Sequence, residues 1–140
     1  MIQRVLGAAA LACGLVLLAA PSFAHHSFAA EFDGTKRVTL TGVVTKVEWT
    51  NPHVWIYFNV KDEKTGEVTN WGAEFGPPHG LQRGGWRRDT VKLGEKVTVT
   101  DAALAKNGSK RVNARTITLA STGARPGTTL DAASSEGRTP

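Results

Sequence analysis

An alternation of apolar and polar positions in the middle of the chain predicts short β-strands. The clearest case is residues 53–60, in which every second side chain is aliphatic or Phe. A period of two places one set of side chains in a core and the other set on the opposite face. The predicted core set is Val54, Ile56, Phe58 and Val60. The predicted outward set is His53, Trp55, Tyr57 and Asn59.

The strand predicted before it, over residues 38–49, is longer and less regular. Its inward positions change parity across Gly42, because they are Val38, Leu40, Val43, Val47 and Trp49. A β-bulge or a sharp bend in a long strand produces such a change. We therefore expect the first strand to bend at Gly42.

Turn-forming residues separate these two strands from three more and from one helical turn. The third strand is predicted at 67–75, the fourth passes through Val97 and Val99, and the fifth covers 111–120. A short helix is expected in the loop 76–86, which is rich in glycine and proline and lies between the third and fourth strands.

This order of elements predicts an all-β fold. Three strands, a short helix and two more strands, with a long bent first strand, form the order of an OB-fold barrel. The predicted fold is therefore a five-stranded OB-fold-like β-barrel with a short helix between strands 3 and 4. A small antiparallel sandwich of another topology is the alternative.

Composition divides the chain into four parts. Residues 1–24 contain one charge, Arg4, then an apolar run and small residues before Ala24, which is typical of a cleavable secretory signal peptide. The apolar run is shorter than the roughly 20 residues of a membrane span. We expect residues 25–37 to be an N-terminal segment, 38–120 the barrel and 121–140 a disordered tail, because the tail is dominated by small and polar residues.

Export would change the chemistry that the chain carries. Cys13, the one cysteine, would leave with the leader, so the mature chain would have no disulfide, thiolate nucleophile or cysteine metal site. Loss of Arg4 would lower the formal net charge from +5 to +4. We therefore expect a periplasmic or secreted protein that is weakly attractive to anions and has no stable membrane anchor after signal cleavage.

Three stretches carry a resemblance to a known group of proteins. They are His25-His26-Ser27-Phe28, residues 43–56 around Trp49-Thr50-Asn51-Pro52, and residues 70–86. Together they resemble a family of small exported bacterial proteins that is classed as a domain of unknown function. The resemblance covers most of the mature chain apart from the tail. It implies a periplasmic setting and an OB-like barrel, and it implies no activity.

Four histidines are candidate ligands for a transition metal, namely His25, His26, His53 and His79. If cleavage follows Ala24, the amino group and the imidazole of His25 can chelate one metal ion. A further imidazole from any of the other three would complete a nitrogen set that suits Cu(II). A cut one residue away would remove this chelate. The alternative is that the first two histidines form a polar chain terminus and the other two are ordinary turn and loop residues.

The outward side of strands 2 and 3 is a candidate binding face. OB-folds commonly bind ligands on this face, and aromatic rings there can stack on a sugar, a base or a peptide. The candidate ligand-binding residues are Trp55, Tyr57, Asn59, Glu74 and Arg83. Nucleic acid is not an expected ligand of an exported protein. The alternative is that the rings are covered by the N-terminal segment around Phe28 and Phe32.

No sequence pattern predicts catalysis. Glu48, Glu74 and His53 have the chemistry of acids or bases, but their spacing does not pair them. The sequence thus predicts a non-enzymatic binding or accessory protein, with copper as the first candidate ligand. A metal-free module that binds a small ligand, a glycan or a periplasmic partner protein is the alternative, and an oxidative copper enzyme is a third possibility.

Overall fold

The computed structural model describes residues 28–120 and 128–131. The predicted leader, His25 and His26 lie outside these residues. Neither described helix has the length and apolar character of a membrane span. The elements, in chain order, are α1 (Phe28–Glu31), β1 (Phe32–Glu48), β2 (Trp55–Lys61), β3 (Val68–Glu74), α2 (Pro78–Arg83), β4 (Lys96–Ala105), β5 (Arg111–Asn113), β6 (Thr116–Leu119) and β7 (Thr128–Asp131).

Five of the strands form a closed ring. Hydrogen-bonded neighbours follow the order β1-β2-β3-β5-β4, and the pairing of β4 with β1 closes the ring. The pairs are antiparallel except for β3 with β5, which is parallel. α2 follows β3 and precedes β4 along the chain. The predicted all-β barrel, with a short helix between its third and fourth strands, is confirmed.

β1 extends into the segment that was predicted to precede the barrel. It begins at Phe32, so residues 32–37 belong to the strand and not to a separate N-terminal segment. These residues pair with the second half of β4, where Phe32 lies opposite Ala105 and Arg37 opposite Ala103. The side chains after Phe32 are mostly exposed. Because these side chains are mostly polar and exposed, the apolar–polar pattern did not predict this part of the strand, which pairs with β4 through its backbone.

The change of parity within β1 lies later than predicted. Val44 is buried at 2 % exposure, whereas Val43 is 44 % exposed. The expectation that Val43 faces the core is therefore wrong, and the inward parity continues unchanged through Gly42. The register with β2 shifts between Val44 and Lys46, which places the irregularity at Thr45.

Gly42 instead allows two backbones to approach each other closely. A Cβ atom at this position would lie 2.3 Å from the backbone oxygen of Asn59 and 2.9 Å from Cδ2 of Phe58. Gly42 pairs with Val97 of β4, and the next residue of β1 pairs with Asn59 of β2. Glycine is needed at this point because β1 changes neighbours there and leaves no space for a side chain.

The predicted fifth strand, 111–120, is two strands in the structure. β5 pairs with the second half of β4, and β6 pairs with its first half. Between these halves Asp101 has a φ of 52°, and its backbone oxygen accepts a hydrogen bond of 2.8 Å from Nη1 of Arg37. β7 then pairs with β6. This pairing differs from the prediction of a disordered tail for residues 128–131.

The core lies inside the ring. Val54, Ile56 and Phe58 are at most 1 % exposed, as the alternation in β2 predicted. Trp86 is also buried and packs against Phe75, with ring centroids 5.3 Å apart. The opposite face of β2 and β3 is left on the outside of the barrel, where it forms the candidate site.

Candidate functional site

Two aromatic rings lie side by side on the outer face of β2. Trp55 and Tyr57 are half-buried and stack on each other, with centroids 6.2 Å apart and an interplanar angle of 20°. Gly72 of β3 pairs with Tyr57, and a Cβ atom at Gly72 would lie 3.1 Å from Cε1 of that ring. Glycine therefore lets both rings lie close to the sheet. We call Trp55, Tyr57 and Gly72 the aromatic platform.

The N-terminal aromatic residues stack separately. Phe28 and Phe32 stack on each other with centroids 5.9 Å apart. Within the described part of the chain, no ring contact joins either of them to Trp55 or Tyr57. The described contacts therefore do not support the alternative in which these phenylalanines cover the platform.

Each ring of the platform carries a cation from a neighbouring strand. The guanidinium carbon of Arg111 lies 5.3 Å from the Trp55 ring centroid, and Nζ of Lys46 lies 5.4 Å from that of Tyr57. Arg111 pairs with Gly72 across β5 and β3, whereas Lys46 pairs with Tyr57 across β1 and β2. The platform thus combines apolar surface with two positive charges.

Glu48 fixes one side of this arrangement. The hydroxyl of Tyr57 donates a hydrogen bond of 3.1 Å to Oε2 of Glu48, and Lys46 forms an ion pair with Oε1. The Lys46 ammonium, and then the Tyr57 hydroxyl, lower the pKa of Glu48. Burial, and then the bond to Glu48, raise the pKa of Tyr57. At neutral pH the carboxylate is therefore ionised and the phenol remains a donor.

The far end of the same face is polar. Nδ2 of Asn70 donates hydrogen bonds to Oδ1 of Asn59, at 2.8 Å, and to Oγ1 of Thr45, at 3.0 Å. The predicted ligand-binding residue Asn59 thus lies on the expected face, but its side-chain oxygen already has a partner within the sheet. Its amide nitrogen remains the group that it can offer to a ligand.

At the other end of the face, His53 and Glu74 form a pair. Nδ1 of His53 contacts Oε1 of Glu74, and Glu74 is only 5 % exposed. Asn113 of β5 lies opposite Glu74 in the pairing of β3 with β5. Burial raises the pKa of Glu74, a shift that the charge of His53 opposes and that of Glu31 adds to. A buried carboxylate requires such partners, because its desolvation is costly.

The remaining predicted site residues lie apart from this face. His79 and Arg83 are exposed on α2, and no side-chain hydrogen bond or ion pair links them to other described residues. Arg111, not Arg83, is the arginine that lies at the platform. Among the described residues, no three His, Cys, Asp or Glu side chains are grouped to hold a metal ion. The metal role of His25 and His26 falls outside the described residues.

Sequence reasoning missed Arg111, Lys46 and Asn113. Each belongs to a strand that pairs with β2 or β3, and each lies opposite an outward residue of its neighbour. The outward parity of β2 was visible in the sequence, so a correct register for β1 and β5 would have found them. That register depends on the bulge at Thr45 and on the parallel pairing of β5, neither of which has a sequence signal.

Comparison with known proteins gives a family. A sequence model described as "Family of unknown function (DUF6152)" matches residues 11–114, which include all five strands of the ring and both ends of the outer face. No curated protein matches the chain, and no solved structure does. The match agrees with the resemblance to a family of unknown function that the sequence showed. The chain belongs to the family DUF6152.

Proposed function

We propose that this protein is an exported, non-enzymatic binding module that holds its ligand on the aromatic platform. The observation that carries this proposal is the stacked pair Trp55–Tyr57, which lies flat over Gly72 and is flanked by Arg111 and Lys46. The ring order of the barrel supports an OB-like interpretation, in which the face of strands 2 and 3 is the usual ligand surface. Export rests on the sequence of residues 1–24.

The chemistry of the platform favours a ligand with an apolar face and negative charge. Aromatic rings bind the C–H faces of sugars or flat rings, and Trp and Tyr supply large contact areas. Arg111 offers a planar set of donors that matches a carboxylate. Lys46 is partly neutralised by Glu48, so Arg111 is the stronger of the two anion contacts. An acidic oligosaccharide is the simplest ligand of this kind.

Binding of a uronic-acid oligosaccharide to the mature protein should be saturable and should weaken as salt rises, because exposed charges are screened. Arg111→Gln should weaken it about tenfold or more, since a hydrogen bond to a charged group contributes about 1.5–3 kcal/mol. Trp55→Ala should also weaken it. Calorimetry and tryptophan fluorescence measure both effects, with a neutral oligosaccharide of equal length for comparison.

Lys110→Gln is the matched control for Arg111→Gln. Lys110 also lies over an aromatic ring, 5.2 Å from the centroid of Trp71. Trp71, however, packs against the hydrophobic core and does not belong to the platform. This control should bind as the wild type does. Equal losses in both variants, or equal binding of acidic and neutral sugars, would argue against the platform as the ligand site.

A second candidate function is the binding of a transition metal, with copper first, through the amino group and imidazole of an N-terminal His25. The observation that favours it is the position of the His53–Glu74 pair near α1. This helix begins only a few residues after His25 in the sequence. The backbone amide of Lys106 donates a bond of 2.9 Å to the oxygen of Glu31, and the charge of Glu31 acts on Glu74. The end of α1 therefore lies against the barrel near the His53–Glu74 pair.

The processed protein should bind one equivalent of Cu(II) with a nitrogen-rich tetragonal signal in electron paramagnetic resonance. His25→Ala, with the cleavage position confirmed by mass spectrometry, should remove this signal. A mature N-terminus other than His25 would contradict this candidate function and leave the platform proposal unaffected. A binding module should not consume oxygen. Oxygen consumption in the presence of a reductant would instead indicate an oxidative copper enzyme.

A further inference from the structure

The positive charges of the aromatic platform differ in what surrounds them. At Trp55, the guanidinium of Arg111 is exposed, and no side chain of the described residues forms an ion pair or a hydrogen bond with it. At Tyr57, the ammonium of Lys46 forms an ion pair with Glu48, so the two charges there cancel. Arg111 is therefore the cation of the platform that is left to pair with an anion of a ligand.

Beyond Tyr57, the outer face is polar but uncharged. The side chains of Asn59, Asn70 and Thr45 are exposed and hydrogen-bond one another, and none of them is bonded to a charged group of the described chain. The amide nitrogen of Asn59 remains a donor, and the amide oxygen of Asn70 remains an acceptor. Such groups can bind the hydroxyls of a neutral sugar, whereas a carboxylate would find no cation to pair with at this end.

The charged and uncharged parts of the face lie along one strand. Trp55 and Asn59 are four residues apart on β2, which places them about 13 Å apart along the strand. Tyr57, which pairs with Gly72, lies between them, and Asn70 lies beside Asn59. A monosaccharide cannot cover this distance, whereas a short oligosaccharide that lies along β2 can.

Glu48 makes the middle of this face unfavourable for a second acidic group. Its carboxylate forms the ion pair with Lys46 and accepts the hydrogen bond of 3.1 Å from the Tyr57 hydroxyl. The Glu48 side chain is 35 % exposed, so a group stacked on Tyr57 would lie close to it. A ligand carboxylate at this point would be repelled by Glu48, whereas an uncharged sugar ring would not.

We propose that the outer face binds an oligosaccharide that has a single acidic sugar at one end and neutral sugars after it. The acidic sugar lies on Trp55 with its carboxylate at Arg111, and the neutral sugars follow β2 toward Asn59. Glu48 disfavours an acidic sugar on Tyr57. This inference rests on the proposed function of the aromatic platform, to which it adds the charge pattern of the ligand and the direction in which the ligand lies.

Three trisaccharides of equal length test the charge pattern by calorimetry with the mature protein. Glucuronosyl-xylobiose has one terminal acidic sugar, trigalacturonic acid has three acidic sugars, and xylotriose has none. The wild type should bind glucuronosyl-xylobiose the most tightly. It should bind trigalacturonic acid about threefold or more weakly, as expected for repulsion between exposed charges. Xylotriose should bind about tenfold or more weakly, because it lacks the ion pair with Arg111.

Glu48→Gln tests the source of this preference. The variant keeps an acceptor for the Tyr57 hydroxyl and frees Lys46, so trigalacturonic acid should bind about threefold or more tightly than it binds the wild type. The affinity for glucuronosyl-xylobiose should stay as it is in the wild type. Asp89→Asn is the matched control, because it removes one negative charge from the exposed loop between α2 and β4. This control should leave both affinities unchanged.

Asn59→Ala tests the direction of the ligand. It removes the free amide donor at the uncharged end, so it should weaken binding of glucuronosyl-xylobiose about three- to tenfold. Free glucuronate covers the Trp55 end alone and should bind this variant as it binds the wild type, as measured by NMR titration. Circular dichroism establishes that each variant is folded.

The outcomes separate this inference from the function on which it rests. A wild type that prefers trigalacturonic acid, or a Glu48→Gln variant with an unchanged preference, would overturn the charge pattern, while a loss in Arg111→Gln would still support the platform. Equal losses of glucuronate and glucuronosyl-xylobiose in Asn59→Ala would overturn the direction. No binding of any of the three trisaccharides would overturn both proposals. If Glu48→Gln does not fold, the preference of the wild type should decrease as salt rises, and a preference that is independent of salt would contradict the role of Glu48.

Discussion

Phe58→Ala should lower the free energy of unfolding by about 3–5 kcal/mol, the usual cost of removing a buried phenylalanine. Phe58 is 0 % exposed and lies in the middle of β2. The phenyl ring also lies against Gly42, at the point where β1 changes from pairing with β4 to pairing with β2. Its removal would therefore leave a cavity where these three strands meet. Urea unfolding followed by tryptophan fluorescence measures this loss.

Val68→Ala is the control for this result. Val68 opens β3 and is 55 % exposed, so its truncation should change the unfolding free energy by less than about 0.5 kcal/mol. A loss below about 1 kcal/mol for Phe58→Ala would mean that the interior of the barrel lies on the other face of β2. Trp55 and Tyr57 would then be core residues, and the proposed platform would not exist.

Gly42→Ala should destabilise the barrel by about 1–3 kcal/mol, although it adds a single methyl group. The new Cβ would lie 2.3 Å from the backbone oxygen of Asn59. A backbone atom cannot rotate away as a flexible side chain can, so β1 and β2 would have to separate. Thermal and urea unfolding of the variant should both show the loss.

Gly34→Ala, in the same strand, is the control that distinguishes the steric clash at Gly42 from the general effect of replacing glycine. A Cβ atom at Gly34 would meet only the ring of Phe28, at an ordinary 3.5 Å. Loss of glycine's freedom in the unfolded chain should then leave stability unchanged or raise it by up to about 1 kcal/mol. Similar effects of both substitutions would refute the close approach at Gly42.

The fold followed from the sequence where one face of a strand is consistently apolar. The strand predicted over residues 53–60 has this property from Val54 to Phe58, and its two faces were predicted correctly. β1 does not, because Val43 and Val44 are adjacent and either one fits a core position. Only pairing with β2 decides between them, since the bulge at Thr45 is a property of two strands and not of one.

The candidate site was predictable to the same extent. Trp55 and Tyr57 were placed on the outer face by the period of β2. Arg111 was not, because its position over Trp55 depends on a parallel pairing between strands that are distant in the sequence. His53 and Glu74 were separate candidates for the same reason: their contact requires the register of β2 with β3.

The parallel ladder between β3 and β5 has a consequence for local stability. It consists of three residue pairs, Gly72 with Arg111, Ala73 with Val112 and Glu74 with Asn113. Any local opening of so short a ladder separates Arg111 from the platform and Asn113 from Glu74 in one movement. The platform and the His53–Glu74 end of the outer face therefore share one opening equilibrium. A ligand that holds the ladder closed at the platform also stabilises the His53–Glu74 end, by the reciprocity that governs all linked binding sites.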